Sequence, residues 1–501
     1  MSRQSQPVDN IARKVFHYDF LRSEQQEAIA AVLAGHDTLA VMPTGSGKSA
    51  IYQIPALMLD GPTIVVSPLI ALQKDQCEYL NKQKAGGAAV VNSLIPAREQ
   101  EEALAEAGNG STEFLFLAPE QFANSDRLEA IRAARPSLFV VDEAHCISEW
   151  GHSFRPDYLR LGGVIEALGH PTVLALTATA NQDVRSEIVT RLGMREPKIF
   201  VHGFDRPNIW LGVETAASET KKRALLLERV RKAERPGIIY TSTRKHAQEI
   251  NDELNNMGIQ SAFYHAGLKK SERIAMQDRF MNDQAEVIVA TSAFGMGVDK
   301  PNVRFVFHFE PPDSIDSYYQ EIGRAGRDGL PSSAVLFYCS GDLTLHKFFK
   351  GAGRIGESDV QDVLDVLTQT GESDPAALRE RTGLSKTKLA RVLNRLEDSG
   401  AIELEVGGAV RPADAMEAAQ ATARQAADAQ ADLHEAELAR IEQMRLYAED
   451  LNCRRARLIG YFGEEISSDC GNCDNCQGGG TSRAQLIAET RARAASQTAD
   501  A

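Results

Sequence analysis

Up to Gly203 the chain alternates short apolar runs with amphipathic stretches. Thr38 to Met42, Thr63 to Ser67, Phe114 to Leu117, Leu138 to Val141 and Val173 to Leu176 each precede a polar or Gly/Pro-containing turn. Short uninterrupted apolar runs separated by helix-length segments predict buried strands joined by helices, the pattern of a parallel sheet. The pattern restarts after Phe204-Asp205-Arg206-Pro207, with runs at Gly237 to Tyr240, Ser261 to Tyr264, Val287 to Ala290, Phe305 to Phe309 and Ala334 to Tyr338. Two sheet-based lobes are therefore expected, residues 1–203 and 204–350, with a cleft between them.

Beyond Gly351 the period changes. Asp359 to Asp398 reads as three helical patterns with no strand runs between them. Pro375 suits a first helical turn, Gly383 a tight turn, and Ser385 an N-cap for a helix ending near Gly400. Ala401 to Glu405 and Ala409 to Arg411 flank Gly407-Gly408 as a small hairpin, so residues 358–411 are expected to form a winged helix-turn-helix. An Ala/Glu/Gln-rich helical stretch, Pro412 to Asp450, leads into a cysteine cluster in a module spanning 412–477. Residues 478–501, rich in Gly, Ala, Ser and Thr, read as a disordered tail.

With 501 residues the chain is long enough for several cores, and its composition is that of a globular protein. The formal charge of -14 excludes a uniformly basic nucleic-acid coat, though not a local basic channel. The polar N-terminus and the lack of a long apolar run predict neither signal peptide nor membrane anchor, and hence a cytoplasmic protein.

Met42-Pro43-Thr44-Gly45-Ser46-Gly47-Lys48-Ser49 follows an expected strand and opens an expected helix, the setting in which backbone N–H groups wrap phosphates. Gly45 and Gly47 permit the turn, Lys48 would meet the β- and γ-phosphates, and Ser49 would ligate Mg²⁺. Met42 stands where the strict pattern has its first glycine, and an ordinary glycine turn is the competing reading. Val140-Val141-Asp142-Glu143-Ala144-His145 is an apolar strand that delivers two carboxylates at its C-terminal end. Asp142 would hold the Mg²⁺ shell and Glu143 would orient the attacking water; an exposed acidic loop is the alternative.

Together with Thr177-Ala178-Thr179 and with Gln320, Arg324 and Arg327, these motifs resemble a superfamily 2 helicase motor and, within it, the RecQ family of DNA helicases. The resemblance is carried by PTGSGKSAIYQIPAL (43–57), SPLIALQKDQ (67–76), DEAHCISEWGHSFRPDY (142–158), ATSAFGMGVDKPNVRFV (290–306) and YQEIGRAGRDG (319–329). It implies two RecA-like lobes with parallel sheets, a winged-helix-like α+β segment and a helical zinc-binding module. It implies an ATP hydrolase that moves 3′ to 5′ on single-stranded DNA and unwinds forked duplex in repair and recombination. An ATP-driven translocase without processive unwinding, and a DNA-binding regulator with an ATPase switch, stand as alternatives.

By the same resemblance Tyr18 and Arg22 would sandwich the adenine and Gln25 would read its edge, although Leu21, Ser23 and Glu24 stand where the family usually has Phe, Pro and Gly. Arg327 would be the arginine finger and Arg324 its neighbour on the phosphate, both reaching it when the lobes close. Trp150, His152, Phe154 and Arg155 correspond to an aromatic-rich loop that stacks unpaired bases; the alternative is that the aromatics are core. Ser67 and Thr177 would line the DNA backbone.

Cys453, Cys470, Cys473 and Cys476 supply four soft ligands, three of them in two consecutive CxxC steps. Zn²⁺ is the expected metal, with iron–sulfur ligation as the competitor. RecQ proteins usually place the winged helix after the zinc module, whereas here the winged-helix-like segment precedes it. Its third helix carries Lys386, Lys388, Arg391 and Arg395, which would grip duplex DNA or form a solvated face of a protein-binding module.

Overall fold

The computed structural model describes residues 5–43, 45–68, 70–148, 155–295, 300–343, 357–398, 400–404, 409–413, 438–466 and 469–478. The tail from 479 onward and most of the helical stretch from 414 to 437 lie outside them.

The first sheet is wholly parallel and seven-stranded: β1 (Thr38–Val41), β2 (Thr63–Val66), β3 (Ala88–Val91), β4 (Phe114–Leu117), β5 (Leu138–Val141), β6 (Thr172–Thr177) and β7 (Lys198–Val201), in the order β3-β4-β2-β5-β6-β1-β7. Strands β1, β2, β4 and β5 are buried at every position. That follows from their unbroken Val, Leu, Ile and Phe content, since a parallel sheet covered by helices buries both faces. The edges differ: β7 is largely exposed and β3 half-buried. Parallel strands align their carboxyl ends, so the segments leaving the adjacent central strands β2, β5, β6 and β1 emerge together. Those segments carry Ser67, Asp142 and Glu143, Thr177, and the glycine loop.

The second sheet is also parallel: β8 (Ile209–Thr215), β9 (Gly237–Tyr240), β10 (Ser261–Tyr264), β11 (Val287–Ala290), β12 (Phe305–His308) and β13 (Ser332–Tyr338), in the order β10-β11-β9-β12-β13-β8. Its helices are capped as their sequences require: the side chains of Ser218, Thr243 and Ser314 accept from the backbone N–H three residues on. Every apolar run named above lies on a strand. The strands without such a run are β3, β7 and β8, which border the sheets.

The winged-helix segment consists of helices Glu357–Thr370, Pro375–Thr382 and Lys386–Asp398 and the antiparallel pair β14 (Ile402–Leu404) and β15 (Val410–Pro412). Asp374 caps the second helix with Pro375 in its first turn, Gly383 ends it at φ +69°, and Ser385 accepts from the Lys388 N–H at 3.2 Å. A separate apolar core, including Val363, Leu367, Leu378, Val392, Leu396, Ile402 and Val410, holds it together. Among the described residues no helix is long and apolar enough to cross a membrane.

Candidate nucleotide site and zinc centre

The loop after β1 turns on two glycines in the left-handed region, Gly45 at φ +82° and Gly47 at φ +79°. A Cβ on Gly47 would stand 2.6 Å from Gln25 Nε2. That amide donates to the carbonyls of Ser46 (3.2 Å) and Gly47 (3.0 Å), while Gln25 Oε1 accepts from the Arg22 N–H at 2.8 Å. Both ends of the amide are thus engaged, so in this state Gln25 braces the loop instead of presenting its edge to a base. Tyr18 is half-buried and donates to Gln53 Oε1 at 3.2 Å, and Arg22 is exposed. The Lys48 ammonium folds back onto the Met42 carbonyl at 2.9 Å. Ser46 Oγ is buried without a hydrogen-bond partner, as a hydroxyl that faces a polar ligand would be. Ser49 precedes the helix Ala50–Ala56; Thr44 lies outside the described residues.

At the end of β5 the two carboxylates sit in different settings. Asp142 accepts from the Glu143 N–H at 3.0 Å and lies 3.5 Å from Ser67 Oγ. Burial, followed by the negative charge of Glu143, pushes the Asp142 carboxyl up to about 7 against the opposing pull of Lys48. Glu143 holds the left-handed conformation at φ 50°, a strain of about 1–3 kcal/mol for a residue with a Cβ. Its Oε2 is buried without a hydrogen bond, although His145 Nδ1 lies 3.3 Å away.

His145 Nδ1 meets Thr177 Oγ1 at 2.9 Å, and Thr177 gives its own proton to the Thr179 carbonyl at 3.1 Å. With the hydroxyl proton on the Thr179 carbonyl, the imidazole Nδ1 is the donor to Thr177 Oγ1. Ser67 and Thr177 were expected to line DNA through their hydroxyls. Instead both are buried, at 2% and 0% exposure, and their hydroxyls face the acidic motif. Thr177→Val keeps the shape but removes the hydroxyl that meets the imidazole, with Glu143 Oε2 still 3.3 Å from Nδ1. We expect it to cost about 1–3 kcal/mol and to lower the thermal midpoint by several degrees; an unchanged midpoint would show that the hydroxyl is not the imidazole's partner.

Trp150, His152 and Phe154 lie outside the described residues. Arg155 is half-buried and donates to the Pro68 carbonyl at 3.1 Å. In the winged-helix segment Lys388 pairs with Asp359 at 2.8 Å, so this cation is neutralised within the segment. The helix that carries Lys386, Arg391 and Arg395 does not face open solvent throughout. Lys386, Leu389 and Leu393 border Asp157, Leu159 and Arg160 across a cavity of about 370 Å³.

In the second lobe Gln320 lies in the helix Ile315–Ile322, and the turn after it carries Arg324 and Arg327. Arg324 is buried against Gly295, where a Cβ would stand 2.8 Å from its Nη2. Glu321 accepts from His308 Nε2 at 2.8 Å, fixing the helix to β12.

The four sulfurs of Cys453, Cys470, Cys473 and Cys476 lie within 4.8 Å of one another, with Cys470 and Cys476 at 3.9 Å. A tetrahedral ion with 2.3 Å bonds to sulfur needs separations of about 3.8 Å, so the set fits one Zn²⁺ and is too tight for an iron–sulfur core. Backbone N–H groups of Ala456, Asn472 and Cys476 point at the sulfurs of Cys453, Cys470 and Cys473, as thiolate ligands require. Arg454, fully buried, bonds to Asp474 at 3.0 Å and to Asn475 at 3.3 Å and so ties the two cysteine segments together.

A parallel sheet with a phosphate-loop sequence after β1 and paired carboxylates after β5 defines an ATP-binding motor lobe. Family models agree: DEAD/DEAH box helicase matches residues 22–187, helicase conserved C-terminal domain 221–329, and RecQ zinc-binding 412–477. The chain is 37% identical to the probable ATP-dependent DNA helicase RecS of Bacillus subtilis, over 92% of this chain and 90% of that one. It is 36% identical to the ATP-dependent DNA helicase RecQ of Pasteurella multocida, over 93% of this chain but 62% of that longer protein. In fold it is similar to the Mycobacterium smegmatis helicase Lhr bound to single-stranded DNA and AMP-PNP, with TM-score 0.53 and 19% identity over 84% of this chain and 61% of that one. The DEAD-box helicase Mss116 is similar at TM-score 0.55 and 18% identity, over 79% and 88%. The chain belongs to the RecQ family of helicases.

Proposed function

We propose that this chain is an ATP-dependent 3′–5′ DNA helicase, cytoplasmic and nucleoid-associated, that moves along single-stranded DNA and opens forked duplexes in repair and recombination. The observation that carries the reading is the pair of carboxylates Asp142 and Glu143 at the carboxyl edge from which the Lys48 loop also leaves, with Glu143 Oε2 buried and 3.3 Å from His145 Nδ1. A carboxylate held there is an acceptor for a water lined up on a γ-phosphate. Lys48 leaves the Met42 carbonyl for the β- and γ-phosphates, and the N–H groups around Gly45 and Gly47 wrap them. Ser49 and Asp142 would hold Mg²⁺, which would neutralise phosphate charge. Gln320, Arg324 and Arg327 serve the γ-phosphate from the second lobe, and Tyr18 and Arg22 hold the base.

The test is ATP hydrolysis and strand separation measured in parallel on a forked duplex with a single 3′ tail and on its 5′-tailed mirror. Stimulated hydrolysis with unwinding of the 3′-tailed fork alone is expected. Stimulated hydrolysis without unwinding on either substrate replaces this reading with that of a translocase.

A further inference from the structure

The segment Asp205 to Val213, at the start of β8, is held on two sides. On one side lies the zinc module. The Arg455 guanidinium, itself buried, donates to Asp205 Oδ1 (2.6 Å) and to the carbonyls of Arg206 (2.7 Å) and Ile209 (2.6 Å). Asn472 Nδ2 donates to the Pro207 carbonyl at 2.8 Å, the Leu211 N–H donates to the Asn472 carbonyl at 3.3 Å, and the Asp474 N–H returns to the Leu211 carbonyl at 3.0 Å. These donors and acceptors sit within two residues of Cys453, Cys470, Cys473 or Cys476, so metal ligation fixes where they point.

On the other side lies the turn that bears Arg324 and Arg327. The Arg206 guanidinium donates to the carbonyls of Gly323 (3.2 Å), Ala325 (2.9 Å) and Gly326 (3.0 Å). Asn208 Nδ2 adds bonds to Gly326 (2.8 Å) and Leu330 (3.0 Å). Gly326 is at φ +55°, and a Cβ there would come within 2.4 Å of Asn208 Nδ2 and 2.8 Å of the Leu330 carbonyl. The helix leading into the turn is gripped by the same module: Tyr461 donates to Asp316 at 2.6 Å, and Phe462 stacks on Phe204 at 4.4 Å and packs on Tyr319 at 4.9 Å.

We infer that Arg206 is a positioning residue for the arginine turn, and that Arg455 makes its placement depend on the zinc module. One planar fork reaching the carbonyls of Gly323, Ala325 and Gly326 sets the path of the backbone around Arg324 and up to Arg327, which a lysine ammonium does not reproduce. Because an arginine aimed at a γ-phosphate acts chiefly in the transition state, the consequence falls on kcat and not on KM. This rests on the reading that Arg327 serves ATP hydrolysis.

The test is DNA-stimulated ATP turnover of the full chain carrying Arg206→Gln, Arg206→Lys, Arg327→Ala, or Arg206→Gln together with Arg327→Ala, each checked for zinc content and thermal midpoint. Expected for Arg206→Gln is a kcat lower by about 10–100-fold with KM within about twofold, at one zinc per chain. Arg206→Lys is expected to fall between it and the parent, and it replaces Arg206→Gln as the readout if the glutamine variant loses zinc. In the Arg327→Ala background, Arg206→Gln is expected to change the residual turnover by less than about twofold, because its target is already gone. An equal loss in both backgrounds, or parental kcat in Arg206→Gln while Arg327→Ala is inactive, overturns the inference. Parental turnover by Arg327→Ala overturns instead the reading beneath it.

Discussion

Glu143→Gln is expected to lower ATP turnover by about 10²–10⁴-fold, the range a positioned general base contributes, while ATP and DNA binding persist. The replacement is isosteric and leaves the residue in its left-handed turn, where the bond from its N–H to Asp142 and the start of the short helix Ala144–Ile147 hold it. Folding should not suffer, because the change removes a negative charge next to a buried carboxylate. The same charge helps raise Asp142 to about 7, so the Asp142 carboxyl is expected to titrate lower in the variant. Single-turnover hydrolysis together with equilibrium binding of ATP checks the prediction. Hydrolysis within about threefold of the parent would remove Glu143 from the chemistry.

The motor's chemistry was legible because it is written in local strings: a glycine loop ending in Lys-Ser, two acids after an apolar strand, and cysteines at CxxC spacing. The buried strands were equally legible, since short apolar runs bounded by turn residues and rich in β-branched and aromatic side chains suit a doubly covered strand. What escaped follows from the physics of edges and of distance. Lys198–Val201 is largely exposed and carries no apolar run to mark it, and half-buried Ala88–Val91 is short and small in side chain. Arg454 and Arg455 read in sequence as scaffold or DNA contacts beside the cysteines, and nothing marks Arg206; the partners of Arg206 and Arg455 lie 117 to 120 and 246 to 250 residues away. Ser67 and Thr177 were placed beside the right strands, but the sequence does not say whether a hydroxyl at a strand end faces outward or back toward the acids.

Cys473→Ala is the second change expected to have a large effect. Cys473 is fully buried, and its sulfur both accepts from the Cys476 N–H and belongs to the four-sulfur set. Structural zinc in small modules carries about 10–16 kcal/mol of apparent binding energy that appears as folding energy. Losing one ligand of four is expected to cost at least about 3–5 kcal/mol and to lower the melting midpoint on the order of 10 °C. Metal analysis should show zinc falling from one per chain toward none, and retention of a full equivalent would refute the ligand set. The loss should spread beyond the module, because Arg454 and Arg455 would keep buried charges while their partners Asp474 and Asp205 drift.

The zinc module also determines what the second sheet presents at its border. Strand β8 is the last in the order, and an outermost strand leaves a row of amides and carbonyls ready to pair with another chain. Here Cys473 runs alongside Leu211 in a parallel bridge, and Asp474 takes the Val213 N–H at 3.0 Å. Four thiolates closed around one ion thus act as a selvedge on the sheet. Loss of the zinc module's grip would uncover the amides and carbonyls of β8 that Cys473 and Asp474 now occupy.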